Sequence, residues 1–532
     1  MTKKRENRPK SPKPARRFAR ASQTPDRTLQ DPPSEDRALA IPILAFIGMV
    51  ALALRLANLF RPMDYDEAFT FLHYASQPLA VGLADYSLPN NHLFHTLLVH
   101  VCVRLFGNHP WVIRLPAFCA GVALVPGIYF WIRRLFHERA ALLAAAFVAV
   151  SDPLVSYSTN ARGYTILGLC FVAAFTLAAR LLRRDRPRDW IAFVAISAAG
   201  FYTIPTMIYG FGTIVLWLGV EILRESASPA RRVLLRHTLL AILAVAVLAA
   251  AAYAPIGMRS GFGALTASAF ESLTWPRFLD GLAGSLQGVW EEWNRSIPGI
   301  VAMSLGLCAL AAVIFHRRFS SFRFSPAIPA LVWPVLLLLV QRTVPFSRVW
   351  LYLLPLYFGT ACAGLAALLF RGRLAPRTRR ILLACTVIAV ELGLGAAVFI
   401  RSRANFEDPA RVDRICDFLT PQLRTGDLVG ANGYWATPIA YYLSRGDVPV
   451  ERLSTDWRLE VLQVVPSPGA TTPQAPTRPP RAFFVIRSSD TDTLEMLRRE
   501  ARAAGVAPTL TVLKRFGTTT VYEDVSLNPP GP

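Results

Sequence analysis

Between residues 40 and 400 the chain is built largely from apolar blocks of roughly 17 to 22 residues, about the length a helix needs to cross the hydrocarbon core of a bilayer. In lipid a backbone must satisfy its own hydrogen bonds, so blocks of this kind read as spanning helices. Composition agrees: 53% of residues are hydrophobic and 17% charged, where a soluble chain carries about 25% charged residues. The fold class expected is an α-helical polytopic membrane protein.

The placement of charge then sets the topology. Lys and Arg number 57 against 35 Asp and Glu, a formal charge of +22. Nearly all of the excess lies in residues 1–39 and in five short loops between blocks, among them "RLLRRDRPRD" and "RGRLAPRTRR". Basic residues gathered in alternate loops mark the cytoplasmic side; they report no nucleic acid partner. Keeping every basic loop inside gives spans at about 40–59, 111–132, 140–157, 164–182, 190–206, 207–223, 238–256, 298–315, 327–344, 349–370 and 381–400. These eleven crossings put the N-terminus in the cytoplasm and everything after Arg401 outside. Fifty-two Arg against five Lys fits a GC-rich bacterial source, hence the inner membrane.

Residues 1–39 are Pro- and charge-rich with little to bury, and read as a disordered basic tail. It is too long and polar for a cleaved signal, so the first span is an uncleaved anchor. The stretch Asn91 to Gly107 is apolar but carries His92, His95, His100 and Arg104. Making it a span would break the charge pattern, so it reads as an interfacial helix closing a long external loop, 60–110. A second external segment, 257–297, is aromatic-rich. Residues 401–532 change character: "DLVGANG" and "RAFFVIRSS" read as strands, "DTDTLEMLRREARAAG" as a helix ending in Gly, and "TLTVLKRFGTTTVYEDV" as a hairpin. This is a small external α/β domain, interrupted by a Pro/Thr-rich loop near 465–480 and joined to a membrane catalytic domain, 40–400. Seven scattered cysteines without CxxC spacing give no disulfide framework.

The first span is followed by "RPMDYDEAFT", with Asp64, Asp66 and Glu67 at the membrane edge. Together with the run from "SLPNNHLFH" to "NARGYT", it resembles glycosyltransferase family 39, the PMT-like membrane proteins that include protein O-mannosyltransferases and lipid A aminoarabinose transferases. The resemblance covers about 40–370 and is strongest over 60–170. It implies the GT-C fold, a polyprenyl-phosphate-linked sugar as donor, and inverting transfer to a protein, glycan or lipid acceptor on the outer face.

In such a reaction the acceptor hydroxyl must lose a proton. The family's Asp-Glu pair falls on Asp66 and Glu67: Asp66 is the expected general base, and Glu67 the residue that orients the acceptor or supports the loop. The leaving group is a lipid phosphate, which calls for donors and cations. Asn90, Asn91 and His92 in "PNNH" fit sugar or phosphate contacts, and equally fit a turn that caps the following helix. In "NARGYT", Arg162 is the only basic residue of its turn and suits bidentate contact with phosphate, with Tyr164 beside it. Arg348, before "LLPLY", is expected at the donor phosphate, with snorkelling at a helix end as the other reading; Arg342 is the weaker candidate. Asp152 falls within a span, where a charge flags function. Some relatives imply a divalent ion near the acidic loop, and no ligand spacing such as HExxH accompanies one here.

Walker, GxGxxG and GxSxG motifs are absent, which counts against a nucleotide-driven pump. A multispan transporter or lipid flippase is the alternative. It would place ionisable groups near the midplane, and Glu391 is the best such feature.

Overall fold

The computed structural model describes residues 34–88, 90–224, 228–261, 263, 272–372, 374–406, 411–453, 458–466, 480–487, 490–503 and 510–524. Most of the tail expected at 1–39, Pro89 of the "PNNH" motif and most of the 465–480 loop lie outside the described residues.

Helix α1 (Ser34–Leu59) comes first and runs into the 60–110 loop. That loop holds α2 (Tyr65–Thr70), a π-helical turn (Phe71–Ala75), α3 (Leu79–Ala84) and α4 (Leu93–Phe106). Helix α4 buries Leu93, His95, Thr96, Val99 and His100 and leaves Val101, Leu105 and Phe106 exposed, so its polar side faces the protein interior. Next come α5 (Pro110–Leu135), α6 (Glu138–Ala149) and α7 (Asp152–Ser158), the last two bent by 60° at their break. Pro153 sits in the first turn of α7, where its missing N–H costs nothing, so the chain restarts as a helix at a new angle. Gly121 of α5 makes room there, because a Cβ would come within 2.0 Å of Ser158 Oγ.

The chain continues through α8 (Tyr164–Leu181), α9 (Pro187–Thr203), α10 (Met207–Arg224), α11 (Pro229–Ser260), α12 (Trp275–Trp293), α13 (Gly299–Ile314) and α14 (Ala327–Gln341). A 3₁₀ segment (Ser347–Leu353) leads into α15 (Leu354–Leu369), and α16 (Pro376–Phe406) is the last long apolar helix. Among the described residues seven helices are long and apolar enough to cross a membrane, or eight with α6 and α7 taken as one bent span. The other three expected spans, near 190, 298 and 327, correspond to helices of 15 to 17 residues. The basic loops gather at one end of the bundle: Arg183 donates to Ser321 Oγ, and Arg323 Nη1 donates to the Arg224 carbonyl at 2.7 Å.

After α17 (Val412–Leu419) the chain forms β1 (Leu428–Ala431), α18 (Gly433–Arg445), β2 (Val450–Arg452), β3 (Glu460–Val464), β4 (Ala482–Arg487), α19 (Thr491–Ala503), β5 (Leu510–Phe516) and β6 (Thr519–Asp524). The sheet order is β2-β3-β1-β4-β6-β5, with β1 and β4 parallel and the other neighbours antiparallel. Gly517, with φ of 55°, turns the β5–β6 hairpin. This domain shares one hydrophobic core with the 60–110 loop: Met63, Ala68, Phe71 and Ala75 pack with Ile415, Ile439, Tyr441 and Val485. The Met63 N–H also donates to the Tyr442 hydroxyl at 3.0 Å.

Candidate active site

Asp64 precedes α2, and its N–H donates to Glu67 Oε2 at 3.0 Å, one half of a capping box. Glu67 itself points inward and is fully buried. Arg114 of α5, also fully buried, grips it with Nε on Oε1 at 2.7 Å and Nη2 on Oε2 at 2.6 Å. The Ala161 N–H adds a bond to Oε1 at 2.7 Å. Burial works against the charge on Glu67, but the Arg114 guanidinium overrides it and holds the carboxyl below its ordinary range. Arg114 also donates to the carbonyls of Leu59, Arg61 and Pro62 at 2.6 to 2.9 Å. One ion pair thus ties the end of α1, the start of α2 and the 159–163 turn to α5.

With Glu67 turned inward, Asp66 turns out. Its side chain is 36% exposed and meets Arg162 Nη1 at 3.4 Å. Arg162 is buried, donates to Asn90 Oδ1 at 2.6 Å and lies 5.8 Å from the Tyr164 ring. Around this pair opens a cavity of about 180 Å³. Its wall holds Asp64 and Asp66 on one side, the guanidinium residues Arg61, Arg162, Arg295 and Arg348, and Ser156, Tyr157, Asn160 and Tyr164. Arg61 Nε, Arg162 Nε and Asn160 Oδ1 are buried without a hydrogen-bond partner. Two carboxylates against four guanidinium groups leave a positive surplus, which suits an anionic ligand.

Of the residues singled out from sequence, Asp66, Arg162, Tyr164 and Arg348 line this cavity, and Asn90 supports it through Arg162. Glu67, Asn91 and His92 do not line it. Asn91 is buried, donating to the carbonyls of Gly82 and Asp85 and accepting from Thr96. His92 Nδ1 accepts from the Gly163 N–H at 2.8 Å. Burial and the nearby Arg162 charge hold His92 well below its ordinary range, and bring His95, fully buried, down to about 3. Both are therefore neutral inside the fold. Arg342 ends α14 in a left-handed conformation and is not on the cavity wall. Asp152 begins α7 at the break in the span; its Oδ2 accepts from Ser296 Oγ at 2.6 Å and pairs with Arg401 at 3.4 Å.

Sequence reading missed Arg61, Arg114, Arg295, Tyr157 and Asn160. Arg114 carried a signal, as a lone charge one turn into an apolar span. Among the described residues no three His, Cys, Asp or Glu side chains come together as a metal cradle.

Residues 91–256 match the family described as dolichyl-phosphate-mannose-protein mannosyltransferase. The fold is similar to ArnT from Cupriavidus metallidurans, solved in the apo state and bound to undecaprenyl phosphate. Both structures superpose with a TM-score of 0.57 at 14% identity, over 92% of this chain and 100% or 99% of theirs. Archaeal oligosaccharyltransferase AglB from Archaeoglobus fulgidus, in complex with an inhibitory peptide and a dolichol-phosphate, is similar at TM-score 0.47 and 12% identity, over 84% of this chain and 62% of its own. No curated protein sequence matches. The chain shares the GT-C fold of ArnT, and the mannosyltransferase family model matches within it over residues 91–256.

Proposed function

We propose that the protein transfers a sugar from a polyprenyl-phosphate donor to an acceptor hydroxyl at the outer face of the membrane, with inversion and with Asp66 as general base. The observation that carries this reading is the cavity itself: a solvent-reachable carboxylate, paired with Arg162, shares its wall with four arginines, two of them with an unpartnered buried Nε. Asp66 takes the proton of the acceptor hydroxyl as its oxygen attacks the anomeric carbon. The bond from that carbon to the phosphate oxygen breaks, and polyprenyl phosphate leaves with the electron pair. Arg162 and Arg348 meet the charge growing on the leaving oxygen, an effect strongest where water is sparse. A single displacement inverts the anomeric centre. Glu67 takes no proton; it holds α2 so that Asp66 faces the cavity. Asn91 and His92 shape the loop behind Arg162.

The eleven-crossing topology, with the N-terminus inside and residues 401–532 outside, fits the basic loops sharing one end of the bundle while the cavity lies at the other. The similarity to a transferase bound to undecaprenyl phosphate supports a lipid-phosphate donor of that class.

The test compares wild type with Asp66→Asn, purified in detergent, on radiolabelled polyprenyl-phosphate mannose and glucose. Wild type releases polyprenyl phosphate, and the variant loses about 10²- to 10⁴-fold in rate with its melting temperature unchanged. Full turnover in the variant would remove Asp66 from the chemistry.

A further inference from the structure

The outer surface beside Asp66 carries a feature that donor chemistry does not use. Tyr65 immediately precedes Asp66 on α2, and its ring lies parallel to that of Tyr434 in the first turn of α18, with centroids 5.9 Å apart and planes 15° from parallel. Tyr434 is 55% exposed. The rings continue along one face of the loop at helical spacing: Tyr65 packs on Phe69 at 5.9 Å, and Phe69 stacks on His73 at 3.9 Å. Arg452 of β2 borders this ribbon, paired with Glu460 at 3.3 Å and donating to Thr437 Oγ1 at 2.9 Å. Its charge reaches both Tyr65 and His73, and the charges of Asp64 and Asp66 reach Tyr434.

The pairing is built rather than incidental. Asn432 caps α18 by accepting from the Trp435 N–H at 3.2 Å, and its amide donates to Asp490 at 3.0 Å, which fixes where Tyr434 stands. The common core and the Met63–Tyr442 bond hold α18 against α2.

We propose that Tyr65 and Tyr434 form the acceptor subsite and that its ligand is a pyranose ring, so that the acceptor is a carbohydrate-bearing molecule presenting a sugar hydroxyl to Asp66. This rests on the reading of Asp66 as the base. An aromatic face carries negative charge density, and the C–H groups on one face of a pyranose carry the complementary partial positive charge. The planar guanidinium of Arg452 and the Asp64 carboxylate supply hydrogen bonds for the ring hydroxyls around such a stack. A peptide acceptor would instead be held by its main chain along a sheet edge. The sheet edge at this junction, β2, is three residues long, too short to hold an extended segment. Tyrosine also suits recognition of many related sugars, because it offers a rigid face at little cost in side-chain entropy.

The full-length protein in detergent is applied to immobilised oligosaccharides and, in parallel, to immobilised Ser/Thr-rich peptides. Wild type is retained by sugars; Tyr434→Ala weakens retention about tenfold, and Tyr434→Phe keeps it because the ring does the stacking. Binding of radiolabelled undecaprenyl phosphate is the same in wild type and Tyr434→Ala. Retention on peptides in place of sugars, no retention on sugars, or sugar retention indifferent to Tyr434→Ala would each overturn the proposal. The lipid-phosphate arm separates the two failures: if the transferase reading fails, wild type does not bind undecaprenyl phosphate, whereas if only the subsite fails, that binding stays intact.

Discussion

Glu67 and Asp66 are neighbours in sequence, and the geometry gives them opposite sensitivities. In Glu67→Ala the Arg114 guanidinium stays fully buried with three carbonyl acceptors and without the carboxylate it grips. Stranding one member of a buried ion pair costs about 3–5 kcal/mol. The N–H groups of Asp64 and Ala161 lose their acceptor at the same time, at about 1–3 kcal/mol each when left buried and unmet. These penalties share partners and do not add, so about 5 kcal/mol is the expected total. At roughly 2 °C per kcal/mol that lowers the melting temperature by on the order of 10 °C. Glu67→Gln recovers only part of the loss, because its amide NH₂ must face another donor. Replacing both charges, Glu67→Ala with Arg114→Met, restores more than half, since no unpaired ion remains. The assay is thermal unfolding in detergent followed by intrinsic fluorescence, with transfer activity measured on the same samples. Asp66→Asn shows the reverse profile, with melting unchanged and activity lost. The reasoning is refuted if Glu67→Gln melts like wild type yet is inactive, which would move Glu67 from loop anchor to chemistry.

Other consequences can be measured separately. Arg162→Ala and Arg348→Ala each weaken binding of radiolabelled undecaprenyl phosphate by about 10- to 100-fold, the worth of a hydrogen bond to a charged group, whereas Arg342→Ala, off the cavity wall, leaves it unchanged. His92 and His95 are held neutral in the fold by burial, with Arg162 beside both, and unfolded histidine titrates near 6.5. The unfolded chain thus binds more protons below that pH, and stability that is complete above about 6.5 falls by up to about 1.4 kcal/mol per pH unit per histidine toward the folded values. Both ring nitrogens of His95 lack a hydrogen-bond partner, so His95→Leu keeps the fold and flattens the melting-temperature slope between pH 6.5 and 4.5; an unchanged slope would refute the assignment.

The membrane architecture was legible because lipid imposes one rule on every span, and the rule shows as apolar length between basic loops. It became ambiguous where helices are short: α9, α13 and α14 have 15 to 17 residues, and length alone does not separate a short span from a packed helix. In the C-terminal domain the β5–β6 hairpin was legible from Gly517, while α18 was not, because "GYWATPIAYYLSR" mixes Gly, Thr and Pro into a helix whose stability comes from burial against α2 and β3. Within the site, Asp66, Arg162, Tyr164 and Arg348 could be found as charged or aromatic groups at the ends of spans. Glu67, Asn91 and His92 have the same chemistry and the same location in sequence. Successive helical residues point about 100° apart, and which one faces water depends on a partner the local sequence does not contain.

That partner explains how the site is assembled. Arg114 lies 47 residues from Glu67, and Ala161 lies 94 residues from it, so the acidic motif has no fixed geometry until α5 and the 159–163 turn have packed against the end of α1. The cavity arginines arrive from four separate places, at positions 61, 162, 295 and 348. Like charges brought together resist assembly unless something compensates them. Here Asp64 pairs with Arg61, Asp66 with Arg162, and Glu292 with Arg295, each carboxylate standing next to the arginine it offsets. Offset in this way, the arginines can stay close together around the cavity without dispersing the loop. A carboxylate used as a base must be one of those whose pairing is loose, and at 3.4 Å with a third of its side chain exposed, Asp66 meets that condition. Glu67, locked by four short bonds, cannot. The two acids of one motif part ways because Glu67 is taken up as a rigid anchor, which leaves its neighbour Asp66 partly exposed at the cavity.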